Sequence, residues 1–246
     1  MKLTFLGTRG YINSCTEKHY RHSSTKISYY DVAIIIDCGE DWLDKVQDWQ
    51  ADAILVTHAH PDHAFGLENG APCPVYATED SWETMDRFDI KQKETVIKRT
   101  PFLIPDKGEK CIEIEAFTVL HSTRAPAVGY RLTAGEASIF YVPDVAWIKD
   151  RESAMHNIDV YVGDGASVKR SMVRKPGDTI IGHVPIQTQL TWCKKMGVSD
   201  AIFTHLGSQI VDGDPQEIQK KVEALAKERD VSQVTIAYDG MTRLIR

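Results

Sequence analysis

The segment Thr57–His63, which reads Thr-His-Ala-His-Pro-Asp-His, carries the strongest chemical signal in the chain. Within six residues it holds four side chains that bind first-row transition metals: His58, His60, Asp62 and His63. The central proline interrupts a helix, so we expect a loop whose first two ligands point one way while the last two turn elsewhere. That arrangement serves two metal ions. Imidazole and carboxylate ligands without thiolate suit Zn²⁺, Mn²⁺ or Fe, and we expect two divalent cations with Zn²⁺ as the first candidate.

Side chains capable of metal or proton chemistry also stand at the ends of short apolar runs. These runs are rich in Val, Ile and aromatic residues, a composition typical of strands. The seven run-ending residues are Asp37, His58, His121, Asp144, Asp164, His183 and His205. If the strands lie side by side, these residues converge on one rim, where the sites of open α/β sheets are usually built.

The elements that must position these residues are predicted from the same patterns. Strands are predicted over Leu3–Leu6, Val32–Ile36, Ala53–Val56, Phe117–Leu120, Ser138–Val142, Val160–Val162, Thr179–Ile181, Ala201–Phe203 and Val234–Ala237. A helix is predicted over Asp214–Arg229 with Asp214 as its N-cap, and another over Pro185–Met196, stopped by Gly197. Early strands come with few helices and later ones alternate with them, which indicates a layered α/β fold. No repeat or linker divides the chain, so we expect one domain over residues 1–246.

Composition narrows the class of protein. The 246 residues are 42% hydrophobic and 26% charged, a globular balance, and the formal net charge is −6. This balance gives no strong nucleic-acid signature. No apolar run approaches the roughly 18 residues of a membrane-spanning helix, and the N-terminus lacks the apolar region of a signal peptide. Five cysteines without a CxxC pair fit a reducing compartment. We therefore expect a cytoplasmic protein without membrane association.

The His-Ala-His-Pro-Asp-His motif, followed by a downstream His, Asp and His, resembles the metallo-β-lactamase-fold hydrolases. The resemblance runs from KLTFLGTRG through IIIDCGE and LVTHAHPDH to FTH and TIAYDGM, nearly the whole chain. It implies a four-layer αββα sandwich with metals at the strand-end rim. The ligand sets that it implies are His58, His60 and His121 for one metal and Asp62, His63 and His205 for the other, with Asp144 bridging both.

The bridging Asp144 points, within that family, towards phosphodiester chemistry. His183 stands where the family's phosphodiesterases and tRNA 3′-end endonucleases carry a His that is not a ligand, so we expect it to protonate the leaving oxygen or hold a phosphoryl oxygen. The alternative is a helix-terminal residue bonded to the backbone. Asp62 can also relay a proton. Asp37 and Asp164 are expected to orient ligand histidines, although Asp164 equally suits a Gly-flanked turn.

A basic cluster near His183 is the candidate binding site for an anionic substrate. Its members, with one arginine that follows His121 closely, are Arg124, Lys169, Arg170, Arg174 and Lys175. Arginine binds phosphate in a fork geometry, but charge runs are usually solvated faces, and both interpretations stay open. The polar loop Lys18–Ser24, with His19 and His22, is expected to be exposed; contact with substrate across a dimer interface is the alternative.

These features together predict a two-metal phosphodiesterase in which a hydroxide bridging the metals attacks phosphorus. Only 38 residues separate Asp144 from His183, too few for the long arm of the tRNA endonucleases. The compact chain is similar to phage-type cyclic-nucleotide phosphodiesterases, which are homodimers, and to phosphonate-pathway cyclic phosphodiesterases. We therefore expect a small cyclic phosphodiester, a cyclic nucleotide, as substrate and a homodimer as assembly. The alternatives are a tRNA 3′-end endonuclease, a thioester or lactone hydrolase on the same fold, and a metal carrier without turnover.

Overall fold

Two β-sheets stack at the centre of the molecule. The computed structural model describes residues 1–105 and 110–246. Up to residue 105 the strands are β1 (Lys2–Gly7), β2 (Ser24–Tyr29), β3 (Val32–Ile36), β4 (Ala53–Leu55), β5 (Val75–Ala77), β6 (Lys93–Thr95) and β7 (Phe102–Ile104). From residue 110 they are β8 (Ile112–Leu120), β9 (Ala127–Ala134), β10 (Ala137–Tyr141), β11 (Trp147–Ile148), β12 (Val160–Asp164), β13 (Asp200–Thr204), β14 (Gln233–Ile236) and β15 (Thr242–Leu244).

Helices lie between several of these strands. They are α1 (Pro61–Ala64), α2 (Glu79–Thr84), α3 (Arg151–Ala154), α4 (Ile186–Met196), α5 (Ser208–Val211) and α6 (Pro215–Lys227). One sheet has the order β15-β1-β2-β3-β4-β5-β6 and is called sheet 1 below. The other, sheet 2, has the order β11-β8-β9-β10-β12-β13-β14, with β7 paired to β8. Among the described helices, none is long and apolar enough to cross a membrane.

Apolar packing on both faces of each sheet produces four layers. On β3, Ile34 and Ile36 pack into the core between the sheets, whereas Ile35 packs into a second core with Val56 and Leu67 on the outer face. This alternation follows from the two-residue side-chain period of a strand. A third core packs sheet 2 against α4 and α6; its buried members include Phe140, Tyr161, Phe203, Leu190 and Val222. The predicted αββα sandwich is therefore confirmed.

Most of the predicted elements are present. Helix α6 begins with Asp214 as its N-cap, whose side chain accepts a hydrogen bond from the Glu217 N–H at 2.8 Å. Helix α4 ends at Gly197, which adopts the left-handed φ of 72°. The predicted strand Thr179–Ile181 is wrong: this segment makes only an isolated bridge between Arg174 and Ile181, and it lies outside both sheets.

The apolar runs do not predict β2, β5, β6, β7, β9, β11 or β15, and for β2 and β9 the structure gives a physical reason. The buried face of β2 begins with Ser24 and Thr25, polar residues that do not read as an apolar run. Strand β9 contains Gly129, where a Cβ atom would meet the Phe140 ring at 2.6 Å, so this glycine gives the ring its space. In both strands, packing within the sandwich decides the conformation that local composition leaves undecided.

The motif segment differs from the expected loop. Pro61 is the first residue of the one-turn helix α1, a position where its missing N–H costs nothing. Asp62 and His63 therefore lie on this helix, while His58 and His60 precede it. The expected divergence of the two halves of the motif is present, but a helix rather than a loop produces it.

Candidate metal centre

The carboxyl ends of several strands meet at one rim of the sandwich. Strands β3 and β4 are parallel neighbours in sheet 1, and β10, β12 and β13 are parallel neighbours in sheet 2. The residues at or just after strand ends are Asp37, His58, His121, Asp144, Asp164 and His205. His183 does not follow a strand, so one of the seven predicted strand endings is wrong although the residue itself reaches the rim.

Four side chains form what we call the first donor group: His58, His60, His121 and Asp144. The Nδ1 of His60 lies 3.0 Å from Nε2 of His58 and 3.3 Å from Nε2 of His121. Oδ2 of Asp144 lies 3.3 Å from the same His58 nitrogen. Ligands of a tetrahedral zinc ion, each at about 2.0–2.1 Å from the metal, stand roughly 3.3 Å from one another. The spacing of this group therefore suits a first-row divalent cation.

The second donor group consists of Asp62, His63, His205 and again Asp144. Oδ2 of Asp62 lies 3.3 Å from Nε2 of His63 and 3.0 Å from Nε2 of His205. The carboxylate of Asp144 approaches Nε2 of His63 at 2.7 Å and Nδ1 of His205 at 2.9 Å. Asp144 thus contacts both groups, which is the position that the resemblance implies for a bridging ligand.

Unpaired polar atoms test whether these residues fit a cation. Nε2 of His63, Oδ1 of Asp144 and Nδ1 of His205 are buried and have no hydrogen-bond partner among the described residues. Their short contacts with one another lack hydrogen-bond geometry. A buried polar atom without a partner costs about 1–3 kcal/mol. Cations at the two donor groups would satisfy these atoms, so the residues present fit a pair of divalent metals.

One buried carboxylate fixes the orientation of two histidines. Asp37, fully buried with a left-handed φ of 64°, accepts the Nδ1–H of His63 at 2.8 Å and the backbone N–H of Thr57 at 2.8 Å. The Thr57 hydroxyl donates to Asp37 at 2.9 Å and accepts from Nδ1 of His58 at 3.0 Å. Because both Nδ1 atoms are held by these bonds, Nε2 of each ring is the nitrogen that faces its donor group and would bind a cation there. Burial raises the pKa of Asp37, and its contacts with His63 and Thr57 oppose that rise.

The second predicted orienting carboxylate, Asp164, has a different partner from the one expected. It accepts the Nδ1–H of His183 at 2.8 Å rather than that of a histidine in either donor group. It also accepts the Ala166 N–H at 2.8 Å, which agrees with the turn alternative. Burial lowers the pKa of His183, but Asp164 and Asp144 outweigh it and raise that pKa to about 11. His183 lies at the centre's edge, and its side chain is 22% exposed.

A cleft of about 680 Å³ opens beside the second donor group. His183, His205, Arg170, Arg174 and Tyr11 contribute to its lining, and none of its described lining residues is acidic. The cleft is therefore suited to an anion. Three other members of the predicted basic cluster are exposed and do not line this cleft: Arg124, Lys169 and Lys175.

The loop Lys18–Ser24 is not the exposed segment that its polarity predicts. His19 is buried with its Nδ1 2.9 Å from the Thr8 hydroxyl, and His22 is buried with its Nδ1 3.1 Å from Asp41. The Thr8 hydroxyl makes the burial of His19 possible, whereas Nδ1 of His22 has no hydrogen-bond partner among the described residues. Tyr11 also lines the cleft and is 63% exposed, but it is not predictable from the sequence because an isolated tyrosine carries no local signal.

Comparison with known proteins gives a family model and several relatives. A family model described as a beta-lactamase superfamily domain matches residues 33–206, well over half of the chain. Exodeoxyribonuclease WalJ of Streptococcus pneumoniae is 31% identical over 116 residues, which are 45% of this chain and 43% of WalJ. The chain therefore spans less than half the length of that relative. Ribonuclease Z of Methanopyrus kandleri is 24% identical over 289 residues, covering 99% of this chain and 98% of the enzyme.

Solved structures agree in fold. The metallo-β-lactamase fold protein YhfI from Bacillus subtilis superposes with a TM-score of 0.73 at 18% identity, covering 98% of each chain. Zn²⁺-bound PqqB from Methylobacterium extorquens superposes with a TM-score of 0.71 at 16% identity, covering 99% of this chain and 100% of PqqB. At these identities the likeness concerns the fold alone.

Proposed function

The chain belongs to the metallo-β-lactamase superfamily of metal-dependent hydrolases, and on this premise we propose that it is a two-metal phosphodiesterase. The observation that carries the proposal is the Asp144 carboxylate shared by two donor groups, beside a cleft with two arginines and no acidic lining residue among those described. Asp-bridged pairs of metals suit phosphodiester hydrolysis, and two relatives of the chain, WalJ and ribonuclease Z, are named as nucleases. Zn²⁺ is the first candidate metal, in line with the Zn²⁺ bound to PqqB.

Two bound divalent cations would neutralise the phosphoryl oxygens and make water nucleophilic near neutral pH. The residues of the chain supply the rest. His183, held by Asp164 through Nδ1, keeps its Nε2–H for the leaving oxygen of the substrate, which departs as an alcohol. Arg170 and Arg174 bind non-reacting anionic oxygens in the cleft. Asp62, buried between two histidines, relays a proton away from the attacking water.

For the substrate we propose a small cyclic phosphodiester, specifically a cyclic nucleotide. The cleft volume of about 680 Å³ suits a nucleotide-sized ligand, since small-molecule pockets are roughly 300–1,000 Å³. The net charge of −6 and the short segment between Asp144 and His183 disfavour a grip on a large RNA. The resemblance to homodimeric cyclic-nucleotide phosphodiesterases makes a homodimer part of the proposal, which sedimentation equilibrium tests.

The deciding experiment is hydrolysis of a panel of 2′,3′- and 3′,5′-cyclic mononucleotides by protein reconstituted with Zn²⁺ or Mn²⁺. Asp62→Ala serves as the blank. Turnover by the wild type that disappears in Asp62→Ala supports the proposal. Absence of turnover with every cyclic nucleotide overturns the cyclic-nucleotide substrate.

The second candidate is an RNA-processing endonuclease of the tRNA 3′-end type, and the names of two relatives favour a nuclease. Ribonuclease Z of Methanopyrus kandleri aligns with 99% of the chain, and WalJ is an exodeoxyribonuclease. Incubation with 5′-labelled oligo(U) and oligo(dT) distinguishes this candidate from the first. If no phosphodiester is cleaved while a thioester or lactone is, the phosphodiesterase proposal fails.

A further inference from the structure

Gln189, on helix α4, is a fully buried amide at the back of the candidate metal centre. We propose that Gln189 is a positioning residue that holds Asp164, and through Asp164 the imidazole of His183, in place for protonation of the leaving group. This inference rests on the proposed phosphodiesterase function and on the role of His183 in it.

The Gln189 amide satisfies all of its hydrogen-bonding capacity. Its Nε2 donates to the carbonyl of Asp164 at 2.7 Å and to the carbonyl of Val184 at 3.1 Å. Its Oε1 accepts the backbone N–H of Asp164 at 2.9 Å and the hydroxyl of Tyr161 at 2.9 Å. Two carbonyls face the nitrogen and two donors face the oxygen, so only one orientation of the amide is allowed.

These four bonds connect the backbone on either side of the His183–Asp164 contact. Both the N–H and the carbonyl of Asp164 are held, and Val184 directly follows His183 in the chain. The Asp164 carboxylate in turn accepts the N–H of Val145, the residue after Asp144, at 3.0 Å. Gln189 therefore fixes the carboxylate that orients the candidate acid and also holds the segment that bears this acid.

The strand next to Gln189 is shaped to admit it. Gly163 on β12 lies so close that a Cβ atom there would stand 2.4 Å from Oε1 of Gln189. Any side chain at position 163 would displace the amide from the backbone of Asp164. Apolar packing does not require an amide here, because α4 already contributes Ile186, Leu190 and Cys193 to the core.

A positioning role predicts dependence on the leaving group. An alkoxide leaving from a ribose needs a proton, and a placed general acid contributes about 10²–10⁴-fold to such a step. A 4-nitrophenolate leaves without protonation. Loss of the Gln189 bonds should therefore slow ribose esters and spare bis(4-nitrophenyl) phosphate. Damage to the fold or a lower fraction of active protein would slow both substrates equally.

The test compares Gln189→Met, Gln189→Asn and wild type on bis(4-nitrophenyl) phosphate and on a ribose ester, either 3′,5′-cyclic UMP or oligo(U), whichever the wild type cleaves. The ratio of the two rates, measured on one preparation, is independent of how much of a variant folds. We expect kcat for the ribose ester to fall at least tenfold in both variants while the aryl ester changes less than threefold. His183→Ala should shift the ratio in the same direction, and adding Gln189→Met to it should cause no further shift.

Tyr161→Phe is the matched control, because it removes one bond to the same amide without touching Asp164 or His183. We expect its ratio to stay within twofold of wild type. An unchanged ratio in both Gln189 variants, or an equal fall on both substrates, overturns the positioning role. A wild type that cleaves neither the aryl ester nor any ribose ester instead refutes the proposed function itself.

Discussion

Replacing Asp37 by Asn should weaken one donor group and leave the other intact. Asp37 is fully buried at a φ of 64°, and Asn is among the few residues that tolerate this left-handed conformation. The amide oxygen can still accept from Thr57, but the amide nitrogen then stands where Oδ2 accepts the His63 Nδ1–H at 2.8 Å. An N–H donor at that position forces the His63 proton onto Nε2, the nitrogen that faces the second donor group.

The expected magnitude follows from the loss of that single orienting bond. Removal of a partner that orients a metal-binding histidine costs about tenfold to hundredfold in metal affinity, or about 1.4–2.8 kcal/mol. Calorimetric titration of the metal-free protein with Zn²⁺ or Mn²⁺ should show two binding events for the wild type. For Asp37→Asn, one event should weaken by this factor while the other is retained.

Thr57→Val is the matched variant for the other donor group. It removes the hydroxyl that accepts from Nδ1 of His58 at 3.0 Å and leaves the contact of Asp37 with His63 in place. In Thr57→Val, the metal-binding event that weakens should therefore be the one that is retained in Asp37→Asn. Circular dichroism confirms that each variant is folded. Two unchanged binding events in folded Asp37→Asn would refute the tautomer argument.

Three further predictions concern the cleft, metal removal and the fold. The double variant Arg170→Ala/Arg174→Ala should raise KM for a phosphodiester by about tenfold in a steady-state assay. Each charge-assisted bond contributes about 1.5–3 kcal/mol, and solvent screening at these exposed arginines reduces that contribution. The control Lys169→Ala, outside the cleft, should leave KM unchanged in the same assay. Chelation by EDTA should lower the melting temperature, because a metal at a thousandfold excess over its Kd stabilises the native state by about 4.1 kcal/mol. Identical scanning-calorimetry curves with and without EDTA would contradict the metal assignment. Asp214→Ala removes the N-cap bond of α6 and should lower the urea-unfolding free energy by about 1 kcal/mol without changing metal content.

The residues of the candidate metal centre can be predicted from the sequence more completely than the strands of the two sheets around it. Strand ends and the His-Ala-His-Pro-Asp-His motif are local signals that single out the residues of both donor groups, and the resemblance to metallo-β-lactamase-fold hydrolases implies how they divide between two metals. The partner of Asp164 is not predictable, since His183 is held at the rim by a segment that belongs to neither sheet. The burial of His19 also escapes sequence reasoning, because no local pattern pairs it with the Thr8 hydroxyl 11 residues earlier in the chain.

Each donor group draws on both sheets, so the centre exists only when the sandwich is assembled. Sheet 1 carries the motif residues, and sheet 2 carries His121, Asp144 and His205. Two buried carboxylates orient histidines at this rim. Asp37 orients histidines that follow β4, and Asp164 orients His183 beside sheet 2. Cations at these groups would cross-link the two sheets, which couples metal affinity to the stacking of the central core. The stabilisation lost on chelation should therefore be a property of the whole sandwich and not of the motif segment alone.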